Sequence, residues 1–101
     1  MKTRIIIHSK ITSKKIHDKI NKFKNSPWSS TPRTEWEGYI LKHKTYKHGR
    51  ITLRIEGKLK ASNKLYATAI GNDRIRLTGS FLEWILNYFP VYTKRISITS
   101  S

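Results

Sequence analysis

Polar and apolar residues alternate along residues 50–60 with the two-residue period of a β-strand. The apolar positions share one face of the predicted strand: Ile51, Leu53, Ile55 and Leu59. The positions between them point the other way: Thr52, Arg54, Glu56, Lys58 and Lys60. The pattern predicts a strand with an apolar back and a cationic front.

The preceding residues, 36–46, continue this pattern. Tyr39 and Leu41 can join the apolar face, which leaves Lys42, Lys44 and Tyr46 on the opposite side. Residues 47–49 (Lys-His-Gly) read as a three-residue connection, with glycine where hairpins often need a left-handed backbone. We therefore predict a β-hairpin over residues 36–60.

Four further segments resemble strands. The β-branched run Ile5-Ile6-Ile7 predicts a central first strand, because its apolar residues are consecutive. Residues 64–70 alternate again, although two alanines also permit a helix over 59–70. A Gly-Asn-Asp turn at 71–73 precedes a short strand at 74–77, and residues 91–99 predict the last strand.

Two helices are predicted. Thr12 or Ser13 can cap the first, in which Ile16, Ile20 and Phe23 recur at helical spacing and the lysines lie off that stripe. Residues 80–83 (Ser-Phe-Leu-Glu) form a capping box, which predicts a second helix over 81–89 that Pro90 ends. This helix is apolar almost all round, so it is either the centre of the core or part of a dimer surface.

Residues 25–34 are rich in turn formers and predict an irregular loop. Trp28 is the exception within it. Its large apolar area favours a plug folded back on the core over an exposed stacking platform.

These elements predict one α+β domain spanning residues 1–101, in the order β-α-β-β-β-β-α-β. Its sheet is a twisted antiparallel meander packed on two helices. At 101 residues the chain buries about 60–65% of its unfolded surface, which suffices for one modest core. The hydrophobic content of 37% is higher than a disordered tail would carry.

The charge balance points to a polyanionic partner. The chain holds 21 Lys and Arg against 6 Asp and Glu, a formal charge of +15, and nucleic acid is the commonest polyanion. A lysine-rich surface that serves only solubility is the competing interpretation. There is no cysteine, and no apolar run approaches a signal peptide or a membrane span, so we expect a soluble intracellular protein, which includes the inside of an infected host cell.

The cationic sheet face is the candidate binding site, because lysines and arginines hold phosphates and tyrosine rings stack on unpaired bases. The predicted residues on it are Lys42, Lys44, Tyr46, Arg54, Lys58, Lys60, Tyr66, Arg74 and Arg76. Lys14 and Lys15 of the first helix add to it. Lysine-rich strands also prevent edge-to-edge aggregation, which is the alternative role.

Catalytic motifs are sparse. Glu56-Gly57-Lys58 resembles the (Asp/Glu)-x-Lys element of metal-dependent restriction-type nucleases, and Glu37 could supply a second ligand. In that family the acid holds Mg²⁺, but the family's Pro-Asp element is missing here. The four histidines have no metal-ligand spacing, so we expect no metal and no cofactor.

The sequence therefore predicts a small non-enzymatic protein that binds nucleic acid, with RNA or single-stranded DNA favoured. A ribonucleoprotein component and a phage or mobile-element accessory protein are both compatible contexts. The alternative is an inhibitor or adaptor that acts on an acidic protein or on a host nuclease complex. A Mg²⁺-dependent nuclease that uses Glu56 and Lys58 is the lesser alternative. A monomer is favoured over a homodimer.

Overall fold

A computed structural model describes residues 1–9, 11–23, 25–34, 38–54 and 64–100. It confirms the α+β class and the predicted element order. The strands are β1 (Lys2–Ser9), β2 (Trp28–Pro32), β3 (Gly38–His43), β4 (Arg50–Arg54), β5 (Lys64–Ile70) and β6 (Thr93–Ser100). The helices are α1 (Ser13–Lys22) and α2 (Arg74–Tyr88).

The six strands form one sheet in the order β2-β3-β4-β5-β1-β6, in which neighbours are antiparallel. The predicted meander is confirmed for β3 to β5, and β2 extends it at the edge of the sheet. The central position of the first strand is also confirmed, since β1 lies between β5 and β6. Both helices cover the same face: α1 contacts β2 and β3, and α2 contacts β1, β4 and β5.

The core lies between this face and the helices. Large and small side chains alternate across it, because Ala67 of β5 stands between Ile5 of β1 and Leu53 of β4. Phe81 and Ile85 of α2 are fully buried against these strands. The predicted apolar face of the hairpin is confirmed by buried Leu41, Ile51 and Leu53 and by half-buried Tyr39; Ile55 and Leu59 lie outside the described residues.

The start of α2 corrects two predictions. The strand predicted at residues 74–77 is the first turn of this helix, and Ser80 of the predicted capping box lies inside it. Four alternating residues could not distinguish strand from helix, whereas Leu77, Phe81 and Ile85 continue the helical period through them and are all buried. Asp73 precedes the helix, and its carboxylate accepts the His48 backbone N–H at 3.0 Å. The predicted end before Pro90 is confirmed.

β2 corrects the prediction of an irregular loop at residues 25–34. Its backbone pairs with β3 at the edge of the sheet, where Pro32 at the strand's end is tolerated because an edge strand leaves some N–H groups unpaired. The predicted plug is confirmed, since Trp28 is 4% exposed and packs edge-on against Phe81, with ring centroids 6.0 Å apart. The predicted cap of α1 is confirmed as Thr12, whose side chain accepts the Lys15 N–H.

The connection between β3 and β4 is six residues long, 44–49, and not the predicted three. Gly49 serves a close approach of two backbone segments. A Cβ atom on Gly49 would collide with the Ile70 carbonyl oxygen, and one on Gly71 would lie 2.5 Å from the Gly49 Cα atom. Gly71 also has a φ of +101°, which L side chains rarely adopt.

Two glycine-to-alanine changes are expected to shift the free energy of unfolding in opposite directions. Gly71→Ala should lower the free energy of unfolding by about 1–3 kcal/mol, because of the backbone strain and the collision with the 48–49 segment. Gly79→Ala, in the exposed middle of α2 with no atom within 4 Å of the new Cβ, should raise it by about 0.5–1 kcal/mol. Urea unfolding of both variants checks the pair, and equal shifts in the midpoint would contradict it.

Candidate nucleic-acid interface

The face of the sheet that neither helix covers is strongly cationic. Strand register places alternate residues of each strand on it, opposite to the buried set. Seven of these residues are exposed lysines or arginines: Lys2, Arg4, Lys42, Arg50, Arg54, Lys64 and Arg95. We call this surface the open face.

An open groove of about 550 Å³ runs across the middle of the open face. Short or half-buried side chains from neighbouring strands line it, among them Ile6, Thr52 and Thr68. The charged and aromatic side chains at the groove are Lys2, Arg4, Arg54 and Tyr66. Three cations and one aromatic ring therefore lie close together on three neighbouring strands, β4, β5 and β1.

Register fixes how these groups sit relative to one another. Tyr66 of β5 lies directly opposite Arg54 of β4, and Arg4 of β1 lies opposite Thr68, diagonal to Tyr66 on its other side. Directly opposed side chains have Cβ atoms about 5 Å apart, and diagonal neighbours lie about 7–8 Å apart. Each of the two strands beside Tyr66 therefore carries an arginine near it, and on β1 the residue directly opposite Tyr66 is Ile6.

No carboxylate lies on the described part of the open face. The described acids are Asp18 of α1, Asp73 before α2 and Glu83 of α2, all in the helical layer. The described part of the open face therefore carries seven positively charged side chains and no negatively charged one.

Three of the predicted site residues lie on the open face: Lys42, Arg54 and Tyr66. Lys44 is exposed one residue beyond the end of β3. Lys58 and Lys60 lie outside the described residues, as do Glu37, Glu56 and the whole nuclease-like element. The described residues contain no group of three His, Asp or Glu side chains that could hold a metal ion.

The predicted placement of Tyr46, Arg74 and Arg76 on the basic face is wrong. β3 ends at His43, so its alternation does not reach Tyr46, which packs against the core with its ring stacked 4.7 Å from the His43 ring. The two arginines belong to α2. Arg76 lies 5.9 Å above the Tyr46 ring, and the Arg74 guanidinium is 3.1 Å from the Met1 sulfur.

Lys14 and Lys15 are exposed on α1, in the layer on the far side of the sheet from the groove. They cannot share a site with the open face. The ammonium group of Lys15 lies 5.1 Å above the Tyr92 ring instead.

Sequence reasoning missed several groups on the open face: Lys2, Arg4, Arg50, Lys64 and Arg95. A signal was present in β1, where Lys2, Arg4, Ile6 and His8 alternate with Thr3, Ile5 and Ile7. The run of three isoleucines indicated burial on both faces, whereas Ile6 lines the groove.

His43 forms a buried polar centre in the helical layer that resembles a Ser–His pair. Its Nε2 lies 3.0 Å from the Ser80 Oγ, while its Nδ1 accepts the backbone N–H groups of Thr45 and Tyr46. Because Nδ1 accepts, the ring proton is on Nε2 and is donated to Ser80, so the ring cannot act as a base toward that hydroxyl. The arrangement fastens the 44–46 segment and does not activate a nucleophile.

Burial lowers the pKa of His43, because desolvation disfavours the charged ring. The neutral ring therefore stabilises the fold fully above the unfolded-state pKa of about 6.5, and this contribution is lost as the pH falls through the lower folded-state pKa. Protonation would also place an N–H at Nδ1 against two backbone donors.

We expect His43→Asn to reduce this pH dependence, since an amide oxygen can accept the same N–H groups without titrating. Urea midpoints measured at neutral and mildly acidic pH should fall more steeply for the native protein than for the variant. Parallel decreases would contradict the role of His43.

No helix among the described residues is long and apolar enough to cross a lipid bilayer. No protein-family model, curated protein or solved structure matches this chain.

Proposed function

We propose that this protein is a non-enzymatic binder of single-stranded nucleic acid, either RNA or single-stranded DNA. The bound nucleic acid lies on the open face. The observation that carries the proposal is the juxtaposition of Tyr66 with Arg4 and Arg54 in an open groove. Five further lysines and arginines are exposed on the described part of the same face: Lys2, Lys42, Arg50, Lys64 and Arg95.

Each component of the groove suits one part of a nucleic-acid strand. Lysines and arginines neutralise phosphates and release condensed counterions, which supplies affinity without sequence preference. A half-buried tyrosine offers a ring face on which an unpaired base stacks. The flanking arginines then contact the phosphates on either side of that base.

The width of the surface favours a single strand over a duplex. Six strands about 4.8 Å apart span roughly 24 Å, twice the roughly 12 Å of a DNA major groove, so the sheet cannot enter that groove with its face. Stacking on Tyr66 also needs a base that is free of its partner.

The test is the salt dependence of binding to a single-stranded oligonucleotide of mixed sequence. Arg4→Gln/Arg54→Gln should weaken binding and flatten the log–log salt slope by about 1.4, which corresponds to two lost phosphate contacts on a single strand. Both arginines are exposed, so the fold should survive the change.

Lys14→Gln/Arg76→Gln is the matched control, because it removes two exposed positive charges that lie on the helices and therefore off the open face. It should leave the slope near the native value. Equal flattening in both variants would show that only net charge matters, and weak, salt-insensitive binding by the native protein would refute the proposal in favour of an adaptor for an acidic protein.

A further inference from the structure

A second surface, in the helical layer, combines exposed aromatic rings with lysines. Three exposed rings lie beside α1: Phe23, Tyr88 and Tyr92, which are 38%, 43% and 46% exposed. Phe23 and Tyr88 lie together at the C-terminal ends of α1 and α2, whereas Tyr92, in the turn before β6, lies near the first turn of α1. The Phe23 and Tyr88 ring centroids are 5.5 Å apart. This surface is made of elements distant in sequence.

The rings are held by the core beneath them. Tyr88 contacts buried Trp84 at 5.0 Å between centroids, and Tyr92 contacts buried Phe89 at 6.5 Å. Since their inner edges pack on enclosed aromatics, the exposed parts of these rings are fixed in place before any ligand arrives. A fixed ring loses little conformational freedom when it stacks on a planar group.

Lysines of α1 lie directly over these rings. The Lys19 ammonium is 4.6 Å from the Phe23 centroid and 5.5 Å from the Tyr88 centroid, and the Lys15 ammonium is 5.1 Å from Tyr92. Lys19 follows Lys15 by four residues and Lys22 follows Lys19 by three, so the three lysines form a stripe along one side of α1 beside the rings. Asp18 is the only acid on α1.

We propose that this surface, which we call the helical patch, is a second binding site for single-stranded nucleic acid. One protein molecule thereby binds two nucleic-acid strands. The inference rests on the proposed function, because it assigns the same ligand chemistry to a second surface. The helical patch lies on the far side of the sheet from the open face, so each surface faces a different strand.

The side chains of the helical patch favour single-stranded nucleic acid as its ligand. A stripe of three lysines beside three rings complements a polyanion that carries planar groups, which is the chemistry of unpaired nucleotides. A second copy of this chain would bring two lysine stripes together in a protein that already carries a formal charge of +15. The lysines are flexible, so their ammonium groups can move from the ring faces to phosphates when bases stack.

The experiment uses two non-complementary oligonucleotides of about eight nucleotides, a length within the range of known single-strand site sizes. One carries a donor fluorophore and the other an acceptor. The native protein should give energy transfer, and native mass spectrometry should show two strands on one protein molecule.

The Lys15→Gln/Lys19→Gln variant should still bind one oligonucleotide. It should no longer bind the second one, and the energy transfer should disappear. Arg4→Gln/Arg54→Gln should likewise lose one strand, but the one held by the open face. Lys14→Gln/Arg76→Gln removes the same number of charges outside both surfaces, so this variant should keep both nucleic-acid strands.

The outcomes separate this inference from the proposed function. A single bound strand in the native protein, lost only in the open-face variant, would overturn the inference and leave the proposed function intact. Binding lost only in the helical-patch variant would refute the open face and support the helical patch alone. Displacement of the second strand by polyglutamate as effectively as by an unlabelled oligonucleotide of equal charge would overturn the inference in favour of an acidic protein segment.

Discussion

Replacing Trp84 with alanine is expected to lower the free energy of unfolding by about 3–5 kcal/mol. Trp84 is 5% exposed in the second half of α2, and its ring contacts Tyr88 and Phe89 at 5.0 and 5.7 Å between centroids. Deleting it leaves a cavity between the helix and the sheet. For a domain with about 5–15 kcal/mol of total stability, the loss should leave much of the protein unfolded or insoluble.

Leu86→Ala is the matched control, because Leu86 lies two residues further along the same helix and is 50% exposed. Its change should cost less than about 1 kcal/mol. Circular dichroism with urea, together with size-exclusion chromatography, measures both variants. Since Trp84 is enclosed within one chain, native-like stability of Trp84→Ala would refute this account of the core.

Local patterns predicted those elements whose burial follows from neighbouring residues. The alternation at Ile51 and Leu53 identified the buried face of β4, and Ile16 and Ile20 identified that of α1. Phe23, assigned to the same stripe, is 38% exposed because it lies beyond the end of the helix. In these segments the period of the sequence and the period of the backbone agree over enough residues to decide the structure.

The wrong predictions of secondary structure fall in segments whose conformation depends on contacts between residues distant in the sequence. Residues 28–32 become a strand because β3 offers an edge to pair with, although Ser, Thr and Pro have turn-forming preferences. Residues 74–77 become helical because Leu77 must face the same core as Phe81 and Ile85. Four residues carry too little periodicity to reveal this.

The chemical character of the candidate site could be predicted from the sequence, but only some of its residues could. Lys42, Arg54 and Tyr66 follow from alternation within their own strands. Arg4 joins them only because β1 inserts beside β5, a pairing between residues more than sixty positions apart in the chain. The helical patch was missed for the same reason, since Lys15 and Tyr92 meet only through the packing of α1 near the end of α2.

Replacing Tyr66 with leucine is expected to weaken binding of a single-stranded oligonucleotide by about 1–3 kcal/mol, the usual contribution of one stacked base. Leucine keeps an apolar side chain beside Ile6 and Arg54 on the open face but removes the flat ring. Tyr66→Phe is the control, because it retains the ring and removes only the hydroxyl. Titrations of both variants with a labelled strand measure the difference.

An abasic strand of the same length separates stacking from phosphate contacts. Without bases there is nothing to stack on Tyr66, so the native protein, Tyr66→Leu and Tyr66→Phe should bind that strand equally. The phosphate contacts of Arg4 and Arg54 remain in all three proteins, so their salt slopes should also agree. If Tyr66→Leu and Tyr66→Phe bound the base-containing strand equally well, the ring would have no part in binding, and the open face would act through its charge alone.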